Sequence, residues 1–160
     1  MKKYVLPVFI IALASFFILP SCSPDPAPVP APVTQPDSSW WNVDTQKFVT
    51  YYNFVSGAQN HTILSGASSD KNKFSITFNL PYIPAQGSYQ LDCSNTGASA
   101  ACMEITYNGL RYRAGLSSAA YLHADSANQR AILNLNATWF YNTINPDDSI
   151  AVLGSFHQPG

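Results

Sequence analysis

The chain has 160 residues, of which 13% are aromatic and 11% charged, with eight basic and nine acidic side chains. A net charge of −1 without a basic cluster excludes the electrostatic footprint of a nucleic-acid-binding protein. The length suits one ordinary domain with a targeting or linker segment attached.

Met1-Lys2-Lys3 opens the chain, and an uncharged apolar run from Val5 to Leu19 follows, with Ser15 its only polar member. Fifteen residues are short of the roughly 20 that cross a bilayer as a helix. They match the apolar region of an export signal, with the two lysines as its positive start. Leu19-Pro20-Ser21-Cys22 resembles a lipobox, with Leu at −3 and a small residue at −1 before the cysteine, and Pro20 at −2 is a departure from it. Residues 1–21 are therefore expected to be removed. Cys22 is expected to begin the mature protein and to carry the lipid. Each buried acyl methylene contributes about 0.8 kcal/mol, so several chains on one cysteine make attachment effectively permanent. The expected location is the cell envelope, lipid-anchored, at the outer membrane and facing the periplasm or the surface. The reading that competes is an ordinary cleaved signal with an incidental cysteine.

Residues 22–39 form the expected linker. Pro24, Pro26, Pro28, Pro30, Pro32 and Pro36 exclude helix and sheet interior. Extended polyproline II at about 3.1 Å per residue would hold the following domain up to roughly 50 Å from the bilayer. Without Lys2 and Lys3, six basic side chains face nine acidic ones, a net −3.

Residues 40–160 are expected to be one β domain. Trp40 and Trp41 come first; as neighbours on a strand they point to opposite faces. In Phe48–Val55 both parities are apolar or aromatic, which predicts a strand covered on both faces or lining a cavity. His61–Ser68 and Lys73–Leu80 flank the turn Ser69-Asp70-Lys71-Asn72, and Phe74, Ile76, Phe78 and Leu80 form a dry face. Cys93 and Cys102 flank a Ser/Asn/Gly/Ala loop. In an oxidising compartment they are expected to form a disulfide. Their parities disagree, because Cys93 follows Tyr89 and Leu91 on the core side while Cys102 shares the wet side with Glu104 and Thr106. Two separate thiols are the alternative.

Asn108-Gly109 predicts a two-residue type I′ hairpin. Folding there sets Tyr107 opposite Leu110, Ile105 opposite Tyr112 and Glu104 opposite Arg113, with Met103, Ile105, Tyr107, Leu110, Tyr112 and Ala114 on one dry face and Glu104, Thr106, Arg111 and Arg113 on the other, so packing and charge agree on one register. Ala131, Leu133, Leu135, Ala137 and Trp139 alternate with Asn134, Asn136 and Thr138, another half-buried strand. Asn145-Pro146-Asp147-Asp148 is a turn before Ser149–His157. The sum is an all-β domain, an antiparallel β-sandwich of about eight to ten strands, with a flattened barrel as the alternative.

Little of this pattern carries chemistry. Gly115-Leu116-Ser117-Ser118-Ala119 lacks the last glycine of a nucleophile elbow. Tyr121, His123 and Asp125 share one strand face, which reads as a wet surface before it reads as a metal site. Asp147-Asp148 reads as a solvated turn before it reads as a calcium site. Glu104 is the only glutamate, and glycosidase chemistry needs two carboxylates. Trp40, Trp41 and Trp139 are the candidate ligand-binding aromatics, drawn from a set that also holds Tyr51, Tyr52 and Tyr141. Asn134, Asn136 and Asn142 are candidate hydrogen-bonding partners. Most of the aromatics are expected in the core, because each removes a large apolar area from water.

The layout resembles that of small Bacteroidota-type lipoproteins with a single C-terminal β domain of uncharacterised function. The residues that carry the resemblance are Cys22 with its signal, Ile63-Leu64-Ser65-Gly66, Phe74-Ser75-Ile76-Thr77-Phe78, Gly87-Ser88-Tyr89-Gln90-Leu91 and Gly154-Ser155-Phe156. The resemblance implies fold and envelope location, and it brings no catalytic residues. The expected role is non-catalytic, a structural or ligand-presenting domain with no cofactor and no metal. The membrane is its partner through the lipid, and an envelope protein or a glycan is its ligand. A carbohydrate-binding module is the alternative reading. An exposed aromatic strip wide enough for two sugar rings would favour it.

Overall fold

The structure is a computed structural model and describes residues 38–58, 60–114, 121–127 and 130–160. The signal, Cys22, almost all of the linker and Gly115–Ala119 lie outside the described residues. Eleven strands and no helix are found among the described residues: β1 Trp40–Val43, β2 Gln46–Val49, β3 Tyr52–Ala58, β4 His61–Ser69, β5 Asn72–Phe78, β6 Gly87–Leu91, β7 Ala100–Tyr107, β8 Leu110–Ala114, β9 Tyr121–Ala127, β10 Arg130–Asn142 and β11 Ser149–His157. The all-β class is as predicted. The count exceeds eight to ten, and one pair, β6 with β7, is parallel.

Two strands with three partners each, β7 and β10, organise the sheet. One edge of β7 pairs with β5; the other is shared between β6 at Ala100–Ala101 and β8 at Glu104–Tyr107. The long β10 is divided in the same way. One edge pairs with β11, while the other serves β9 up to Leu135 and β8 from Phe140. With β6 paired to β9, a ring closes through β10, β9, β6, β7 and β8. Two arms leave it, β5-β4-β3 from β7 and β11-β1-β2 from β10. Barrel and sandwich are thus combined, because the arms pack their inner faces together. Trp41 on β1 stacks on Phe48 at 5.4 Å and meets the Phe74 ring of β5 edge-on at 5.6 Å. Phe74 packs on Phe156 of β11 at 4.7 Å. Each such aromatic pair adds about 0.5–1.5 kcal/mol beyond its area. Gly154, opposite Trp41, permits the close approach, since a Cβ there would lie 2.7 Å from the Trp40 carbonyl oxygen.

Turn chemistry sets the register. Asn108 and Gly109 both have positive φ, 51° and 85°, and the β7–β8 pairs are those the sequence predicts. The same turn hooks onto its neighbour between β4 and β5, for the Gly109 N–H donates to the Lys71 carbonyl at 3.0 Å. Cys93 and Cys102 are bridged, with Cα atoms 4.2 Å apart. The parity conflict disappears because β6 ends at Leu91; Cys93 lies beyond the strand and has no face to keep.

Three predictions are corrected. Phe48–Val55 is two strands, interrupted at Thr50-Tyr51, and β3 is exposed rather than covered on both faces, while its Tyr52, Phe54 and Val55 line open depressions, in line with the other half of that expectation. Leu110, predicted on the dry face of the hairpin, is exposed at its end. Trp139 does not share a face with Leu133 and Leu135. A register shift between Leu135 and Thr138 adds one residue to β10, so Thr138, Phe140 and Asn142 turn inward and Ala137, Trp139 and Tyr141 outward.

Candidate functional site on the outer face

The shared parity of paired strands assembles the site. Phe54 on β3 lies opposite Ser65 on β4, Ser65 opposite Ser75 on β5, and Ser75 opposite Glu104 on β7. Glu104 lies opposite Arg113 on β8, and Arg113 opposite Tyr141 on β10. These six residues form one band across six strands. Five inter-strand spacings of about 4.8 Å separate its ends by roughly 24 Å. A second row runs beside it through Tyr52, Ala67, Lys73, Thr106 and Arg111.

Both ends of the band are aromatic. Tyr52 and Phe54, two residues apart on one face of β3, are 61% and 51% exposed. Trp139 and Tyr141 stand at the other end, and Trp139 is 57% exposed. Small side chains floor the space beside β3. A trough of ≈330 Å³ opens there, with Tyr52 and Phe54 on one side, Glu104 and Thr106 on the other, and Ser65, Ala67 and Ser75 between.

Glu104 is held from two directions. Arg113 donates through Nε to Oε1 at 2.5 Å, and Arg111 through Nη2 to Oε2 at 2.8 Å. Partial burial is the largest single influence on this carboxyl and acts to raise its pKa. The hydrogen bonds and charges of the two guanidinium groups together outweigh it and leave the group below its ordinary value. Arg111 is shifted upward by the same hydrogen bond. Glu104 is therefore a fixed anion at neutral pH, an acceptor flanked by donors. The Arg113 contact was legible in the hairpin register; the diagonal one from Arg111 was not.

The other candidates fall elsewhere. Trp41 is 0% exposed and belongs to the core, where it cannot meet a ligand. Trp40 is half-buried with the Lys47 ammonium 5.0 Å from its ring centroid, away from the band. Asn134 and Asn136 are exposed, but Asn142 is buried and donates to Asp148 at 2.8 Å. Tyr112 donates to the same Asp148 oxygen at 2.8 Å. The Asn142 bond first, then that of Tyr112, holds the Asp148 carboxyl below its ordinary value. This aspartate ties the β10–β11 turn to β8. Tyr121, His123 and Asp125 do share an exposed face of β9, where His123 Nδ1 lies 2.9 Å from Ser88 Oγ. Among the described residues no three His, Cys, Asp or Glu side chains come together as metal ligands.

Sequence reasoning missed Phe54 as a site residue and left Tyr52 among aromatics expected mostly in the core. Their apolar character was visible, but their exposure depends on β3 ending the sheet. No family model, curated protein or solved structure matches this chain.

Proposed function

We propose that the protein is a non-catalytic envelope lipoprotein, moored through Cys22 and held out on its proline-rich stalk, whose β domain presents the outer-face band to an extended saccharide. One observation carries this reading: exposed aromatic pairs stand at both ends of a continuous band with serines and an ion-paired glutamate between them. The apolar C–H face of a sugar ring stacks on flat aromatic surfaces. Its hydroxyls need acceptors and donors at fixed positions, and Glu104, Ser65, Ser75 and Thr106 supply them. Catalysis finds no support in the trough. Glu104 is the one carboxylate among its described lining residues, and two guanidinium groups keep it deprotonated, which suits an acceptor and not a general acid.

A glycan array followed by calorimetry tests the ligand, using residues 38–160, which contain every residue of the core. The expected result is binding at about 10–100 μM, roughly 5.5–7 kcal/mol, weakened at least about tenfold by Tyr52→Ala or Phe54→Ala. Saccharide binding indifferent to both changes would overturn the site, and an array without any hit would overturn the ligand class. Mass spectrometry of the native full-length product tests the anchor. A diacylglyceryl thioether on Cys22 is expected; a free thiol or an uncleaved signal refutes it.

A further inference from the structure

The sheet ends in two strands, and they are treated differently. β2 is four residues long and carries Lys47, a short charged end of the kind that discourages pairing. β3 has neither safeguard. Tyr52-Asn53-Phe54-Val55-Ser56-Gly57-Ala58 has seven residues with no charge and no proline. Its one partner among the described residues is β4, and the register with β4 runs without a bulge. Seven residues at about 3.3 Å each present roughly 23 Å of backbone edge that no second described strand covers.

We propose that this edge pairs with β3 of a second copy, antiparallel, about a two-fold axis through Val55. That register is the one that pairs all seven residues. Side-chain size then matches beside the axis: Phe54 of one copy lies opposite Ser56 of the other, and Asn53 opposite Gly57. The β-branched Val55, 39% exposed in the single chain, meets its own counterpart at the axis. Cross-strand pairs of this kind contribute roughly 0.2–1 kcal/mol each. No charge is brought against a like charge, which is what a self-pairing strand requires and a strand for a charged peptide does not. The inner side has room, because a groove of ≈480 Å³ runs between Val55-Ser56-Gly57 and Pro81-Tyr82-Ile83. An axis through such a pair stands perpendicular to the sheet, so both outer faces point the same way. The two bands then join through their Tyr52 and Phe54 ends into one surface of double length. The pairing itself does not depend on what the band binds.

A strand edge buries less than the roughly 1,200 Å² of stable complexes, so the dimer should be weak, with Kd on the order of 100 μM. Sedimentation equilibrium of residues 38–160 should show a reversible monomer–dimer system. Val55→Lys sets two ammonium groups face to face and should give a monomer, while Val55→Thr should keep the dimer. Unchanged circular dichroism and urea midpoint for Val55→Lys show that it folds. Val55→Cys should oxidise to a covalent dimer, since directly opposed Cα atoms about 4.5–5.5 Å apart suit a disulfide. Tyr52→Cys, about 20 Å from its own counterpart in this register, should not. A chain that stays monomeric at millimolar concentration overturns the proposal. So does a dimer untouched by Val55→Lys, or one that Tyr52→Cys traps and Val55→Cys does not. Val55 does not line the trough, so loss of saccharide binding and loss of pairing are separate results.

Discussion

Arg113 donates to Glu104 at 2.5 Å from directly across the β7–β8 ladder, and Arg111 reaches the second oxygen of the same carboxylate at 2.8 Å. Both guanidinium groups are largely in water, which limits each pair to about 0–1 kcal/mol. Glu104 has a folded pKa below its unfolded value. Its stabilisation is therefore complete above the ordinary value of 4.5 and disappears as pH falls through the depressed one. Glu104→Gln should cost about 0.5–1 kcal/mol at pH 7. The gap to wild type should close on acidification below pH 4.5, read by urea unfolding at a series of pH values. A gap that widens toward acid would contradict the geometry.

Trp41 and Trp139 should respond in opposite ways. Trp41→Ala removes the ring between Phe48 and Phe74 and should cost about 3–5 kcal/mol. Trp139→Ala, at an exposed position, should change stability by no more than about 0.5 kcal/mol. On the proposed function it should still weaken saccharide binding. Denaturation midpoints and titration calorimetry on both variants separate core from site.

Reduction of the Cys93–Cys102 bridge should loosen the unfolded state and leave the fold in place. Its closed loop of about ten residues corresponds to roughly 2.7 kcal/mol on the chain-entropy account. The Cys93→Ser/Cys102→Ser double variant should lose about that much in urea unfolding and keep the β-sheet circular dichroism.

Gly154→Ala should be costly although alanine is the smallest possible addition. The new Cβ would meet the Trp40 carbonyl oxygen at 2.7 Å and the Trp41 Cβ at 2.9 Å, so β1 must move away from β11. Overpacking of this kind costs about 1–3 kcal/mol. A thermal melt that did not fall would show that β1 yields freely.

The β7–β8 hairpin was legible because Asn108-Gly109, the apolar alternation and the Glu104–Arg113 charges all specify one register. The disulfide was legible by counting, once Cys22 was assigned elsewhere. Trp139 was misplaced because period two assumes an unbroken ladder, and one extra residue in β10 inverts every face after it. β3 was misread because a strand apolar on both faces looks the same in sequence whether it is doubly covered or bare. Which it is depends on its position in the sheet, and sequence alone does not fix strand order. The band was invisible for a related reason. Its six residues come from six strands, and only their alignment makes a surface.

The pairing of β1 with β11 sets an order of events for the growing chain. The Ser39 hydroxyl accepts from the His157 amide, 118 positions later, and Trp41 waits almost as long for Gly154. The earliest-made part of the domain can only pair with β2 until the last-made part emerges. Long-range closures of this kind slow folding and leave greasy surface uncovered meanwhile. A polypeptide threaded through a pore amino end first would thus acquire its finished shape only after its tail had cleared the exit.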